Sequence, residues 1–210
     1  MNKKTKIVVL EFVIMLIICS FSDKILLIAF LWIILHELTH IIVAKHYGAS
    51  LSSLEINLSG AKIKLKNIEE LNNRRKLIIY FSGPLFNLII YVILLLLTKI
   101  NIISFCESIG INLGLFIFNM LPAYPLDGVR IYEILLSKKI LYKKSKIILI
   151  NISFIFSILL IFIFLLTIFI HRANVSLLVT SILITYSTWI EKNNIIDNIV
   201  LEKFLKKRKK

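Results

Sequence analysis

Residues 25–44 read ILLIAFLWIILHELTHIIVA, an apolar stretch that contains His36, Glu37 and His40. Residues four apart lie on one face of a helix, so the two imidazoles point the same way. Two neutral histidines at this spacing can bind one Zn²⁺, and the glutamate beside them can take a proton from water that the metal activates. A soluble amphipathic helix would need a polar face, which residues 25–35 do not offer. Because an ionisable side chain at membrane depth costs at least about 2.5–3.5 kcal/mol, the stretch predicts a functional metal site within a membrane helix.

The rest of the chain is also apolar. Of its 210 residues 58% are hydrophobic, whereas a soluble domain contains about 45–50%. Runs of about 17–25 apolar residues can cross the hydrocarbon core. The sequence therefore predicts an all-α polytopic membrane protein with about six transmembrane helices, near residues 6–22, 24–45, 76–98, 108–121, 147–170 and 174–191. The first of these is expected to be a retained helix and not a cleaved signal peptide. Two cysteines, Cys19 and Cys106, are too few for a disulfide framework or a Cys-rich zinc site.

The net charge of +14 is distributed around the predicted spans. With six spans, one side of the membrane would hold nearly all of the lysines and arginines, and the other side only Lys24, Lys99 and Arg172. Because Lys and Arg favour the cytoplasmic side, both termini are expected in the cytoplasm of a multi-pass protein of the cell membrane, with HELTH near the inner leaflet. The basic tail, residues 206–210, is expected to face the lipid bilayer, and no nucleic-acid partner is expected.

Residues 52–65 alternate polar and apolar side chains around Ser59-Gly60, which predicts a small β-hairpin at the cytoplasmic membrane face. Two interpretations of this hairpin are open. An edge strand in this position could pair with an extended substrate by strand addition, or the segment could be a simple amphipathic hairpin at the interface.

Asp127 is the candidate for a third metal ligand. It lies in NMLPAYPLDG, residues 119–128, where two prolines break the helix and a glycine follows the acid. Broken backbone at membrane depth is tolerated where it is buried in protein or lines a wet cavity, so this carboxylate can reach a metal held by a neighbouring helix. Two histidines and one carboxylate would leave a fourth position for water or a substrate carbonyl. His46 is six residues beyond His40 and therefore lies off the ligand face.

Three motifs together make the chain resemble the site-2 protease family, the intramembrane zinc metalloproteases. HELTH matches the HExxH helix of that family, Gly83-Pro84-Leu85-Phe86-Asn87 matches its GPxxN element, and residues 119–128 match its NxxPxxxxDG element. The resemblance implies one Zn²⁺ per chain, held by His36, His40 and Asp127, with Glu37 as general base. It also implies that Asn119 stabilises an oxyanion or orients the ligand loop. Gly83 and Gly128 can permit close backbone approach at such a site.

The resemblance also implies a division of the chain. Residues 24–130 would form the catalytic core, residues 1–23 an N-terminal transmembrane helix, and residues 131–210 two C-terminal transmembrane helices with a basic cytoplasmic tail. The substrate would be a membrane-associated protein whose peptide bond is hydrolysed near the cytoplasmic face.

Within the family, the small size and inward positive charge look most like the stage IV sporulation protein FB branch. That likeness implies cleavage of a membrane-associated pro-sigma factor during sporulation, in the membrane around the forespore, under inhibitory membrane partners. The chain ends soon after the sixth span, so no nucleotide control through a CBS domain is expected. Two alternatives are a general site-2 protease that acts on another membrane substrate, such as an anti-sigma factor, and a zinc-binding membrane scaffold without protease activity.

Overall fold

The computed structural model describes residues 24–57, 60–66, 68, 70–99, 106–170 and 175–208. The described part contains six helices and two strands: α1 (Lys24–His46), β1 (Ser50–Asn57), β2 (Gly60–Lys66), α2 (Asn73–Lys99), α3 (Cys106–Asn119), α4 (Asp127–Ser137), α5 (Tyr142–Phe169) and α6 (Val175–Arg208). The first predicted span, residues 6–22, lies outside the described residues. The chain divides into two compact units, residues 1–121 and residues 122–210.

Three of the described helices, α1, α2 and α5, are long and apolar enough to cross a membrane. Helix α3 has 14 residues, and at about 1.5 Å per residue it falls short of the roughly 30 Å hydrocarbon core. The predicted span 174–191 lies almost entirely within helix α6, which continues beyond it to Arg208, because Lys, Glu and Leu in that segment favour a helix in water as well as in lipid. The structure therefore supports a mostly helical membrane protein, and six remains the predicted number of spans.

In the first unit, α2 packs against both α1 and α3. The end of α1 is sharp because Gly48 adopts a positive φ of 84°, a conformation that costs glycine little. The N–H of Ala49 donates to the carbonyl of Ala44 at 3.0 Å, and the N–H of Gly48 donates to the carbonyl of Lys45 at 3.0 Å. This pair of hydrogen bonds is the Schellman motif, which satisfies the last carbonyls of the helix and turns the chain directly into β1.

The two strands form the hairpin that the alternating sequence predicts. They pair antiparallel from Ser50 opposite Lys66 to Asn57 opposite Gly60, with an irregularity in register between Leu51 and Ser53. Gly60 is thus the first residue of β2, and residues 58–59, which belong to the predicted turn around Ser59-Gly60, lie outside the described part of the chain. The position of this hairpin relative to the membrane is still a prediction from charge.

In the second unit, α5 packs against both α4 and α6. Its core contains Tyr124, Val129, Leu149, Ile150 and Ile195. Small hydroxyl residues line the contact between α5 and α6: Ser157 is buried, and its hydroxyl donates to the carbonyl of Ser181 at 2.9 Å. Small residues of this kind let membrane helices approach closely, and their hydroxyls join the helices where no water is present.

Candidate metal centre

His36 and His40 are both buried on α1, with side chains 3% and 7% exposed. Their spacing of four residues brings the two Nε2 atoms to 3.2 Å from each other, as the sequence predicts. Two Zn–N bonds of about 2.0–2.1 Å at a tetrahedral angle place their nitrogens about 3.3 Å apart. The two imidazoles are therefore spaced to bind one zinc ion.

The opposite nitrogens of these imidazoles are each held by α2. His40 Nδ1 lies 2.7 Å from the carbonyl oxygen of Ile79, and His36 Nδ1 lies 2.6 Å from Oδ1 of Asn87. Because a carbonyl oxygen only accepts, His40 carries its hydrogen on Nδ1, and the amide oxygen assigns the same tautomer to His36. In a neutral imidazole this leaves Nε2 as the acceptor, so both Nε2 lone pairs point toward the same position. Partners of this kind orient metal-binding histidines in proteins.

Gly83 of α2 borders the same position. A Cβ atom at residue 83 would lie 2.3 Å from Nε2 of His40 and 2.6 Å from Nε2 of His36, closer than non-bonded atoms can approach. The next residue, Pro84, lies inside the helix and has no N–H to donate to the preceding turn. The close backbone approach predicted for Gly83 is therefore present: the missing side chain leaves room beside both nitrogens.

Asp127 is the first residue of α4 and is half-buried. It follows a turn in which the N–H of Leu126 donates to the carbonyl of Ala123 at 2.9 Å. The turn is tied to α5 because the N–H of Tyr124 donates to Oγ of Ser153 at 3.1 Å, while that hydroxyl donates to the carbonyl of Leu149 at 2.8 Å. The helix break predicted around the two prolines is present, and the positive end of the α4 dipole favours a carboxylate in its first turn.

A charged network joins α4 to α5 and α6 one turn beyond Asp127. Arg130 pairs with Glu133 at 3.2 Å and with Glu191 at 2.9 Å, and Lys146 lies 3.6 Å from Glu191 and 3.8 Å from Glu133. Two cations face two carboxylates, so the charge is balanced where the glutamates are nearly buried.

Burial raises the pKa of Tyr124, whose ring lies 5.5 Å from the guanidinium carbon of Arg130, so the phenol stays neutral.

The remaining predicted residues have less distinctive surroundings. Glu37 is half-buried and directly follows His36. Asn119 ends α3 and is also half-buried, with its Nδ2 donating to the carbonyl of Leu115 in the same helix at 3.1 Å. His46 is exposed, and its ring packs edge-on against Tyr47.

Two asparagines that sequence reasoning did not assign to the site are buried near it. Asn87 was noted only as part of the GPxxN element, and Asn112 was not noted at all; both are 0% exposed. Each asparagine stands in the middle of an apolar segment. Because a buried polar side chain needs a hydrogen-bond partner, this position could have indicated that both residues take part in a buried polar network.

His36 and His40 can each offer one imidazole nitrogen to a metal ion, and the carboxylate of Asp127 is the third ligand that the sequence predicts. Two imidazole nitrogens and a carboxylate oxygen are a common ligand set for catalytic zinc. The donor types, the 3.2 Å between the Nε2 atoms and the space beside Gly83 all fit zinc.

Comparison with known proteins places this chain in peptidase family M50, whose model matches residues 24–103 and 98–160. A zinc metalloprotease of Methanocaldococcus jannaschii is 36% identical over 134 residues, which cover 60% of this chain and 38% of that protein. This chain therefore spans about two fifths of the length of that relative. The structure of a site-2 protease from the same organism matches with a TM-score of 0.62 and 27% identity, over 87% of this chain and 86% of that chain.

Proposed function

We propose that this protein is an intramembrane zinc endopeptidase of the site-2 protease type, which hydrolyses a peptide bond of a membrane-associated protein. The observation that carries the proposal is the pair of imidazoles on α1. Their Nδ1 atoms are fixed by Ile79 and Asn87, and their Nε2 atoms lie 3.2 Å apart within a helix apolar enough to span a membrane. Membership of peptidase family M50 supports the same chemistry.

The proposed zinc ligands are His36, His40 and Asp127. A zinc ion bound there would polarise the substrate carbonyl and lower the pKa of water toward about 7. The residues of the chain would hold the ion and keep one of its positions accessible. The two histidines and the aspartate leave a fourth position open, and Gly83 keeps the space beside the imidazoles clear.

Glu37 is the proposed general base. It would take a proton from the attacking water and return it to the leaving nitrogen of the peptide, the general acid–base role of a positioned carboxylate. The substrate would have to be extended at the cut site, because a helical carbonyl is already hydrogen-bonded and shielded. Asn119 is proposed to stabilise the oxyanion or to orient the ligand loop. Its Nδ2 donates one hydrogen to the carbonyl of Leu115, and the amide NH₂ group carries a second hydrogen.

The membrane placement and the substrate are finer proposals. The distribution of Lys and Arg supports six spans with both termini in the cytoplasm and a cut near the inner leaflet. The hairpin of β1 and β2 would then lie where it could pair with an extended substrate. The specific substrate that we propose is a membrane-associated pro-sigma factor, and the concentration of Lys and Arg on one side of the predicted spans supports it.

The experiment separates catalysis from zinc binding. The full chain is co-expressed with a single-span reporter protein whose transmembrane helix is interrupted by Asn-Gly near its cytoplasmic end, and cleavage is followed by gel shift. We expect Glu37→Gln to stop cleavage, because general-base catalysis contributes about 10²–10⁴-fold or more, while the purified variant keeps its zinc.

Glu107→Gln, the same change at an exposed glutamate of α3, is the matched control and should cleave normally. Normal cleavage by Glu37→Gln would remove Glu37 as the base. A third outcome is an unaltered protein that holds zinc and cleaves neither this reporter nor a membrane-tethered pro-sigma factor. That result would favour the alternative function, a zinc-binding membrane scaffold without protease activity.

A further inference from the structure

A chain of buried amides leads from His36 to a backbone carbonyl of another helix. His36 Nδ1 lies 2.6 Å from Oδ1 of Asn87 on α2, and Nδ2 of Asn87 donates to Oδ1 of Asn112 on α3 at 3.0 Å. Nδ2 of Asn112 then donates to the carbonyl oxygen of Ser108 at 2.9 Å. Both asparagines are fully buried. The chain therefore links α1, α2 and α3 through three hydrogen bonds away from solvent.

The backbone carbonyl at the end of this chain sets the direction of every hydrogen bond in it. The carbonyl of Ser108 can only accept, so Asn112 must turn its NH₂ group toward it and its oxygen toward Asn87. Asn87 must then donate with Nδ2, which leaves its oxygen facing His36. His36 therefore carries its hydrogen on Nδ1 and presents the lone pair of Nε2, the form that binds a metal.

We propose that Asn112 is a positioning residue for the metal site and acts through Asn87 to hold the tautomer and ring orientation of His36. Among the described residues, the side chain of Asn112 is hydrogen-bonded to Asn87 and to the carbonyl of Ser108, so it reaches His36 through Asn87. Without Asn112, the amide of Asn87 can rotate and offer its NH₂ group to His36, which selects the tautomer with hydrogen on Nε2. This inference rests on the zinc site of the proposed function but not on proteolysis.

The first test measures the zinc dissociation constant of the detergent-purified full chain by competition with a chromophoric chelator. Loss of a partner of a metal-binding histidine typically weakens binding about 10–100-fold. We expect Asn87→Leu to weaken zinc binding within this range. Asn112→Leu, in which leucine has the same branched shape as asparagine, should weaken it by an amount near the lower end of the range. In an Asn87→Leu background, Asn112→Leu should cause no further change in zinc affinity, since the link through Asn87 is already lost.

The second test is independent of the metal. In the metal-free protein, ¹⁵N NMR of labelled histidine distinguishes the two neutral tautomers. We expect hydrogen on Nδ1 of His36 in the unaltered protein and a shift toward Nε2 in Asn112→Leu. Thr188→Val, which removes a buried hydrogen bond within α6, is the control for general destabilisation and should change neither the tautomer nor the zinc affinity. Asn112→Ala replaces Asn112→Leu if the larger side chain prevents folding.

The outcomes separate the two proposals. If Asn112→Leu or Asn112→Ala weakens zinc binding equally with and without Asn87, or leaves both the affinity and the tautomer unchanged, the positioning role is wrong even where the reporter is cleaved. If the predicted coupling is found and the reporter is not cleaved, the positioning role stands and the proteolytic function fails. An unaltered chain that binds no zinc would overturn both.

Discussion

At the scale of single residues, the candidate site depends on which nitrogen of each imidazole carries hydrogen. The carbonyl of Ile79 and the amide of Asn87 decide this for His40 and His36. A buried hydrogen-bonding group left without its partner costs about 1–3 kcal/mol, so these contacts hold the rings firmly. The Nε2 atoms are thereby oriented before any metal binds.

Gly83→Ala is the sharpest single change at this scale. Its methyl group would need to lie 2.3 Å from Nε2 of His40, so one or both rings must rotate away from the metal position. We expect zinc affinity to fall by more than the roughly 10–100-fold typical of losing an outer partner, as measured by chelator competition. Gly110→Ala, in α3 with open space around it, should keep full affinity. A Gly83→Ala protein that binds zinc normally would show that the metal lies elsewhere.

At the scale of helices, α2 supplies the surface on which the two histidines are arranged. Ile79, Gly83 and Asn87 follow one another at intervals of four residues, so they share one face of α2. That face meets His36 and His40 of α1. Helices α1 and α2 each contribute residues that are four apart. This explains why the two histidines can be arranged for a metal within apolar helices, without a loop between them.

The turn before α4 offers a test of how Asp127 is held. Ser153→Ala removes the acceptor of the Tyr124 N–H, and a buried N–H without its partner costs about 1–3 kcal/mol. We expect a lower thermal unfolding midpoint and weaker zinc binding, because the turn that carries Asp127 loses its tie to α5. Ser187→Ala is the matched control, since Ser187 is buried and its hydroxyl has no hydrogen bond within the described part of the chain. Equal effects of the two changes would contradict this role for Ser153.

The paired histidines, the helix break around Pro122, the hairpin and the close approach at Gly83 could all be predicted from sequence. Each follows from spacing or from the backbone limits of proline and glycine, which act locally. The partners of the histidines could not be predicted, because Ile79 and Asn87 are 39 and 51 residues away from them. Asn112 was missed for the same reason. For α6 the sequence predicted only the apolar span 174–191, because hydropathy marks where a helix leaves lipid and not where it stops.

At the scale of the whole molecule, charge predicts how the chain crosses the membrane. Reporter fusions after Ser104 and after Lys146 should lie on opposite sides, with the fusion after Lys146 in the cytoplasm. A fusion after Lys66 is the internal reference and should match the fusion after Lys146. Activity of a cytoplasmic reporter at all three positions would contradict the predicted topology, and the site would then have to be reached from a different face.

The most direct test of the central claim is X-ray absorption at the zinc edge on the purified full chain. We predict one zinc per chain, with nitrogen and oxygen neighbours at about 2.0–2.2 Å and the scattering of two imidazoles. Asp127→Asn, which keeps the shape and weakens the ligand, should lose metal. Sulfur neighbours at about 2.3 Å, or full zinc retention in the double change His36→Ala with Asp127→Ala, would contradict the assignment of the site.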